Sequence, residues 1–143
     1  MEPVFEGTVS SELRARISFM PFNFMEGPQP VQTAEIYMAK SVLHDWSDND
    51  AMKILRHMVP AMRTGCRILL VELVLLPYGQ LPWAMDRFAS AVDIGVFSAF
   101  NGRERTLQDW KNVIAGADER FALDKVHSLP ENPYSVLEIV WHG

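Results

Sequence analysis

Apolar positions along this chain fall into two spacings, short extended runs and stripes that recur every three to four residues. The first run, Arg16-Ile17-Ser18-Phe19-Met20, predicts a strand closed by Pro21. The second, Glu35-Ile36-Tyr37-Met38-Ala39, follows the turn-rich Glu26-Gly27-Pro28-Gln29-Pro30. From Asp48 to Arg63, Met52, Leu55, Met58, Val59 and Met62 mark one face of a helix. Ser47 with Asp50 three residues later is a capping pair, and Gly65 is the expected stop.

Cys66 to Leu75 is almost uninterrupted aliphatic sequence, which predicts a strand covered on both faces, as in a parallel sheet. Trp83 to Phe97 and Thr106 to Ala115 read as helices, the latter with Thr106 as N-cap. Phe121 to Ser128 and Tyr134 to Trp141 read as strands. The linker Leu129-Pro130-Glu131-Asn132-Pro133 is too short for a crossover helix, so this last pair is expected to be antiparallel. The expected fold class is α/β, a mostly parallel sheet ending in an antiparallel hairpin.

Composition narrows the role. With 143 residues, 48% of them hydrophobic, residues 1–143 are expected to form a single domain with a packed core. The net charge of −5 argues against a nucleic-acid partner held by phosphate neutralisation. The single cysteine, Cys66, leaves no internal disulfide, and the N-terminal residues lack the pattern of a secretion signal. The apolar run from Ile68 to Leu76 is interrupted by Glu72 and far shorter than the ~20 residues of a membrane helix. A cytoplasmic, soluble protein without a membrane partner is the expectation.

Ligands of open parallel sheets bind beyond the carboxyl ends of the strands. Lys40 and then His44-Asp45-Trp46 follow the second run directly, and Glu72 sits towards the far end of the aliphatic strand. All are thereby delivered to one rim. A carboxylate inside Leu70-Val71-Glu72-Leu73 either is turned to solvent by strand twist or is paired or working. His44 is either a loop histidine bonded to backbone or a base acting near neutral pH. Other motifs fail. Tyr37 and Lys40 are three apart where short-chain dehydrogenases need four, and Asp45, Asp48 and Asp50 lack the glycine and closing glutamate of a calcium loop. No phosphate-binding glycine loop or nucleophile elbow is present, and no metal-ligand cluster is visible.

The stretch from Ala34 to Asp48, containing Lys40-Ser41-Val42-Leu43-His44-Asp45-Trp46-Ser47-Asp48, closely resembles S-adenosylmethionine-dependent O-methyltransferases of the plant and fungal type. Arg67-Ile68-Leu69-Leu70-Val71-Glu72, a helix containing Asp93 and Asn101-Gly102-Arg103-Glu104-Arg105-Thr106 follow in the family's order. The resemblance covers about residues 11 to 141. It implies a Rossmann-like class I methyltransferase fold, with His44 as general base and Glu72 and Glu104 flanking it. It further implies that Asn23, Phe24 and Lys40 touch the methyl donor, S-adenosylmethionine, and that Asp45, Trp46, Val96 and Phe97 contact the acceptor, an aromatic or polyketide-like hydroxyl. No metal is implied.

The chain also departs from the family pattern. Asn23 stands where an aspartate is usual, and no donor-binding glycine loop precedes it. The expectation is therefore a partial catalytic domain lacking the family's first two sheet strands, with residues 1–15 poorly anchored. The strand at Glu35 then becomes an open edge. Such a chain would act as a homo-oligomer or with a homologous methyltransferase chain. A competing expectation is a non-catalytic, methyltransferase-like module that docks on an intact homologue.

Overall fold

A computed structural model describes residues 10–128, 130 and 132–143. What the sequence implies for residues 1–9, Leu129 and Glu131 lies outside the described residues. The order of elements is α1 (Ser11–Arg14), β1 (Ile36–Lys40), a 3-10 turn (Leu43–Asp45), α2 (Asp48–Met58), a second 3-10 turn (Val59–Ala61) and β2 (Arg67–Leu75). Then come α3 (Trp83–Phe100), β3 (Arg105–Thr106), α4 (Leu107–Ala117), β4 (Phe121–Ser128) and β5 (Tyr134–Trp141).

The five strands form one sheet, with β1, β2, β5 and β4 side by side and the short β3 against the end of β2. β1 and β3 run parallel to β2, whereas β5 runs antiparallel to both β2 and β4. The α/β class and the terminal hairpin agree with the sequence. The sheet is mixed rather than mostly parallel, because the eight-residue β5 inserts antiparallel directly beside β2.

The first predicted strand is absent. Backbone bonds from Arg16 N to Leu13 O (3.0 Å) and Ile17 N to Arg14 O (3.2 Å) fold its beginning into a turn, and Phe19 and Met20 are exposed coil. The helix foreseen from Asp48 to Arg63 ends at Met58. Pro60, which lacks an N–H, enters the 3-10 turn there, and Gly65 (φ +84°) instead makes the tight turn into β2. α3 runs one turn past Phe97 and stops at Asn101, which is left-handed (φ 56°). Both predicted caps form: Ser47 Oγ accepts from Asp50 N at 3.2 Å, and Thr106 and Asp109 complete a capping box.

α2 and α4 cover one face of the sheet. There Leu55, Ile68, Leu70, Trp110, Ile114 and Leu137 form the centre of the core. On the other face β1 presents Ile36 (56% exposed) and Met38 (69% exposed), and the β2 residues Leu69 and Val71 on that face are half-buried. The expectation that β2 is covered on both faces is met on the face of Ile68, Leu70, Glu72 and Val74, and only in part on the other, where Leu73 is buried but Leu69 and Val71 are half-buried. The rim where β1 and β2 end holds Lys40, His44 and Glu72, three of the residues singled out in the sequence.

Candidate active site

β1 ends at Lys40, and the chain then reverses through Ser41, whose φ of 50° places a non-glycine residue in the left-handed region. Ser41 N donates to Val71 O at 3.0 Å, so the bend is fixed to β2. Immediately afterwards Leu43, His44 and Asp45 form the 3-10 turn, with Leu43 and His44 buried.

Glu72 meets the start of this turn. Its Oε1 accepts from Val42 N at 3.3 Å and from Leu43 N at 3.1 Å. A carboxylate at amides that open a helical turn sits at the positive end of their dipoles. Glu104, on the loop before β3, reaches the ring instead. Its Oε1 lies 2.7 Å from His44 Nδ1, and its own backbone N donates to Asp93 Oδ1 at 2.8 Å. With Nδ1 engaged, Nε2 is the ring nitrogen left for other chemistry. It approaches Asp45 Oδ1 to 3.4 Å without a hydrogen bond.

Both glutamates are almost completely inaccessible, at 0% for Glu72 and 2% for Glu104. Glu72 Oε2 and Glu104 Oε2 are buried without a hydrogen-bond partner among the described residues. Burial pushes both carboxyls above the ordinary glutamate range, against the lowering influence of the Leu43 amide on Glu72 and of the His44 ring on Glu104. Burial likewise raises the Tyr134 phenol, and the charges of Glu104 and Glu72 add to it.

This has a sign that is open to measurement. Well below 4.5, the ordinary value, Glu72 is protonated in both folded and unfolded chains and costs nothing extra. As pH rises through the interval up to the elevated folded value, the unfolded chain ionises first and stability falls. Glu72→Gln keeps an oxygen for the two amides and abolishes that penalty. Relative to the parent, its melting temperature is expected to rise on going from acid to neutral pH, by about 2–4 °C for each kcal/mol removed. A difference that does not change with pH contradicts this assignment of the buried charge.

The other sequence candidates divide between two sides of the turn. On one side a cavity of about 280 Å³ lies under the β1 edge, lined by Phe22, Phe24, Lys40, Leu43, Ile54 and Met58 among others. Phe24 is held there by a 2.8 Å hydrogen bond between its carbonyl and His57 Nδ1, and by edge contact with Trp46 at 5.8 Å. Asn23 is exposed, and its Oδ1 accepts from Met25 N at 3.0 Å. On the other side Trp46, Phe97, Asn101 and Arg103 line a cleft of about 270 Å³, and Asp45 joins Trp46 and Phe100 in an adjoining one of about 430 Å³. Val96 is buried within α3, whereas Phe97 is 64% exposed.

Four residues that build this site carried no role in the sequence reading. His57 holds the Phe24 loop, and Asp93 holds the Glu104 backbone. Arg105 enters the site fully buried. Gly102 passes so close to the turn that a Cβ there would overlap His44 O. Asp93, Gly102 and Arg105 lay within stretches that carry the resemblance, whereas His57 had no such signal.

Among the described residues no helix is long and apolar enough to cross a membrane.

Residues 6–119 match the family model described as an O-methyltransferase domain. The O-methyltransferase pgmB of Aspergillus terreus is 36% identical over 96% of this chain and 31% of its own length. The crystal structure of OxaC in complex with sinefungin and meleagrin superposes with a TM-score of 0.78 at 30% identity, over 99% of this chain and 34% of that one. LepI in complex with SAM superposes with a TM-score of 0.73 at 28% identity, over 100% of this chain and 35% of that one. The chain spans about a third of the length of the curated relatives it matches. By the extent of the family match and the shared fold, the chain belongs to the O-methyltransferase domain family.

Proposed function

We propose that residues 1–143 are the base-bearing part of a Rossmann-like catalytic domain that moves a methyl group from S-adenosylmethionine to an aromatic or polyketide-like hydroxyl. The observation that carries this reading is the 2.7 Å contact between His44 Nδ1 and Glu104, which leaves Nε2 for the acceptor's proton, next to the Asp45 and Trp46 that line the neighbouring clefts. The adenosine half of the donor is assigned to the cavity under β1. Phe24 offers a ring face, Lys40 a cation, and the remaining wall is largely apolar. Among the described residues no carboxylate lines that cavity, and the chain covers a third of its relatives' length.

S-Adenosylmethionine supplies an electrophilic methyl group on a sulfonium. His44 Nε2 takes the proton of the acceptor hydroxyl, and the oxygen lone pair forms the new bond to carbon as the carbon–sulfur bond breaks. Glu104, bonded at Nδ1, keeps the ring in the tautomer with Nε2 free and stabilises the imidazolium that results. Glu72 fixes the backbone that carries the ring. Asp45, Trp46 and Phe97 border the acceptor side, with Trp46 in edge contact with Phe24.

The test is methyl transfer from labelled S-adenosylmethionine to a panel of phenols, read beside equilibrium binding of the donor. Phe24→Ala is expected to weaken donor binding by about tenfold, the worth of a lost aromatic contact of roughly 1.4 kcal/mol. Donor binding that is indifferent to Phe24 would contradict the placement. A second reading draws on the apolar residues exposed at Ile36 and Met38. It makes the chain a module that docks on a homologous methyltransferase, and it predicts no methyl transfer to any phenol when the chain's own His44 is the only base present.

A further inference from the structure

Among the described residues Arg105 is the largest charged side chain of the interior. It is 0% exposed, and its guanidinium is directed at backbone. Nη1 donates to Leu43 O at 2.8 Å and Nη2 to Trp46 O at 2.7 Å, the carbonyls on either side of the His44–Asp45 segment. Nε donates to Asp48 Oδ1 at 2.8 Å, and the guanidinium lies 5.0 Å from the Trp110 ring. Between them, Arg103 N donates to His44 O at 3.0 Å. Leu43 O also accepts the turn's own bond from Trp46 N at 3.3 Å, and a cation beside these carbonyls opposes their dipoles. Glu72 does the converse at the opening amides. The turn that carries His44 is thus held by opposite charges at its two ends, both nearly inaccessible to water.

We propose that Arg105 is a positioning residue for His44. Its guanidinium sets the height and rotation of the 3-10 turn, so that the ring meets Glu104 through Nδ1 and presents Nε2 to the rim. The adjacent Glu104 and Arg105 then divide one task, the carboxylate aligning the ring and the guanidinium aligning the backbone beneath it. Only a fork spans the arrangement, because one planar group must reach two carbonyls and a carboxylate in three directions. A lysine in its place would keep the charge and lose the span. Asp48 is suited to be the counter-ion without competing for the turn. Burial raises its carboxyl, but the hydrogen bonds from Arg103 and Arg105 outweigh this and hold it below the ordinary range.

The inference rests on the catalytic reading of His44, and the experiment separates the two. Nitrogen-15 histidine spectra report the His44 Nδ1 hydrogen bond without any turnover. Methyl transfer is measured on the same samples. Arg105→Lys is expected to shift the His44 Nδ1 resonance, to lower kcat by about 10–100-fold, and to leave the KM for S-adenosylmethionine within about twofold. Arg105→Met, which also removes the charge, is expected to shift the resonance further; if it does not fold, Arg105→Lys alone decides the question. Arg56→Met serves as the comparison. Arg56 also donates to carbonyls, Ala117 O at 2.9 Å and Gly116 O at 2.6 Å, but at the end of α4 rather than at the turn. Its loss is expected to lower the melting temperature while leaving the His44 resonance in place. An unmoved His44 resonance with parental kcat in folded Arg105→Lys overturns the positioning role. The same overturning follows if Arg56→Met moves the His44 signal equally. A shifted resonance with kcat unchanged in both supports the positioning role and removes His44 from the chemistry.

Discussion

Replacing His44 with asparagine is expected to lower the rate of methyl transfer by about 10²–10⁴-fold while the donor still binds. Asparagine is close in size and retains polar atoms, so the turn and its hydrogen bonds to Glu72 and Arg105, which engage backbone, are preserved. What is lost is a group able to take a proton. A phenol has a pKa of about 10 and is almost wholly protonated at neutral pH, so without a base the nucleophile is scarce. The measurement is single-turnover transfer at saturating donor, with KM for the donor recorded beside it. A loss confined to donor KM would instead place His44 in binding.

The second large effect lies outside the reacting groups. Gly102→Ala would drive a methyl group into His44 O and put it 2.8 Å from the Asp45 carbonyl carbon and 2.9 Å from Asp45 Cα. All three are backbone atoms, and no rotamer relieves them. The two segments must separate, which is expected to cost about 1–3 kcal/mol of stability in overpacking and to lengthen the Arg103 N to His44 O bond. Since Glu104 is two residues away, the 2.7 Å contact with Nδ1 is lost in the same movement. Activity is expected to fall by at least about 10²-fold, as a misplacement of about 1 Å can produce. Chemical denaturation reads the first effect and kcat the second. A variant of parental stability would show that the loop yields without strain.

These effects explain which parts of the structure could be read from the sequence. The caps of α2 and α4 were legible because the Ser47–Asp50 pair and the N-cap threonine Thr106 act within one turn of their own helix. The length of β2 was legible for the same reason, a run of apolar residues needing no partner to be recognised. Pairing was less so. Arg16–Met20 has the composition of a strand, but strands exist only against a neighbour, and here local turn bonds claim its beginning. The sheet's character depended on whether β5 lies beside β2 or at an edge, which no local pattern states.

At the site, Glu104 meets the His44 ring as the resemblance implied, but Glu72 has other partners. Glu104 touches the ring, whereas Glu72 holds backbone amides at Val42 and Leu43. A carboxylate's choice between a ring and an amide is set by ångström-scale placement, which spacing in the chain does not encode. Asp93 and Arg105 went unassigned because both act on backbone atoms distant in sequence, and backbone partners leave no trace in residue identity.

If His44 contributes by removing a proton, acceptor acidity is the variable that exposes it most directly. Methyl transfer by the parent and by His44→Asn is measured on an ordinary phenol and on a nitrophenol already ionised at the assay pH. The variant is expected to show a large deficit with the phenol and a deficit that nearly vanishes with the nitrophenol. An equal deficit with both acceptors would contradict the role of His44 as base.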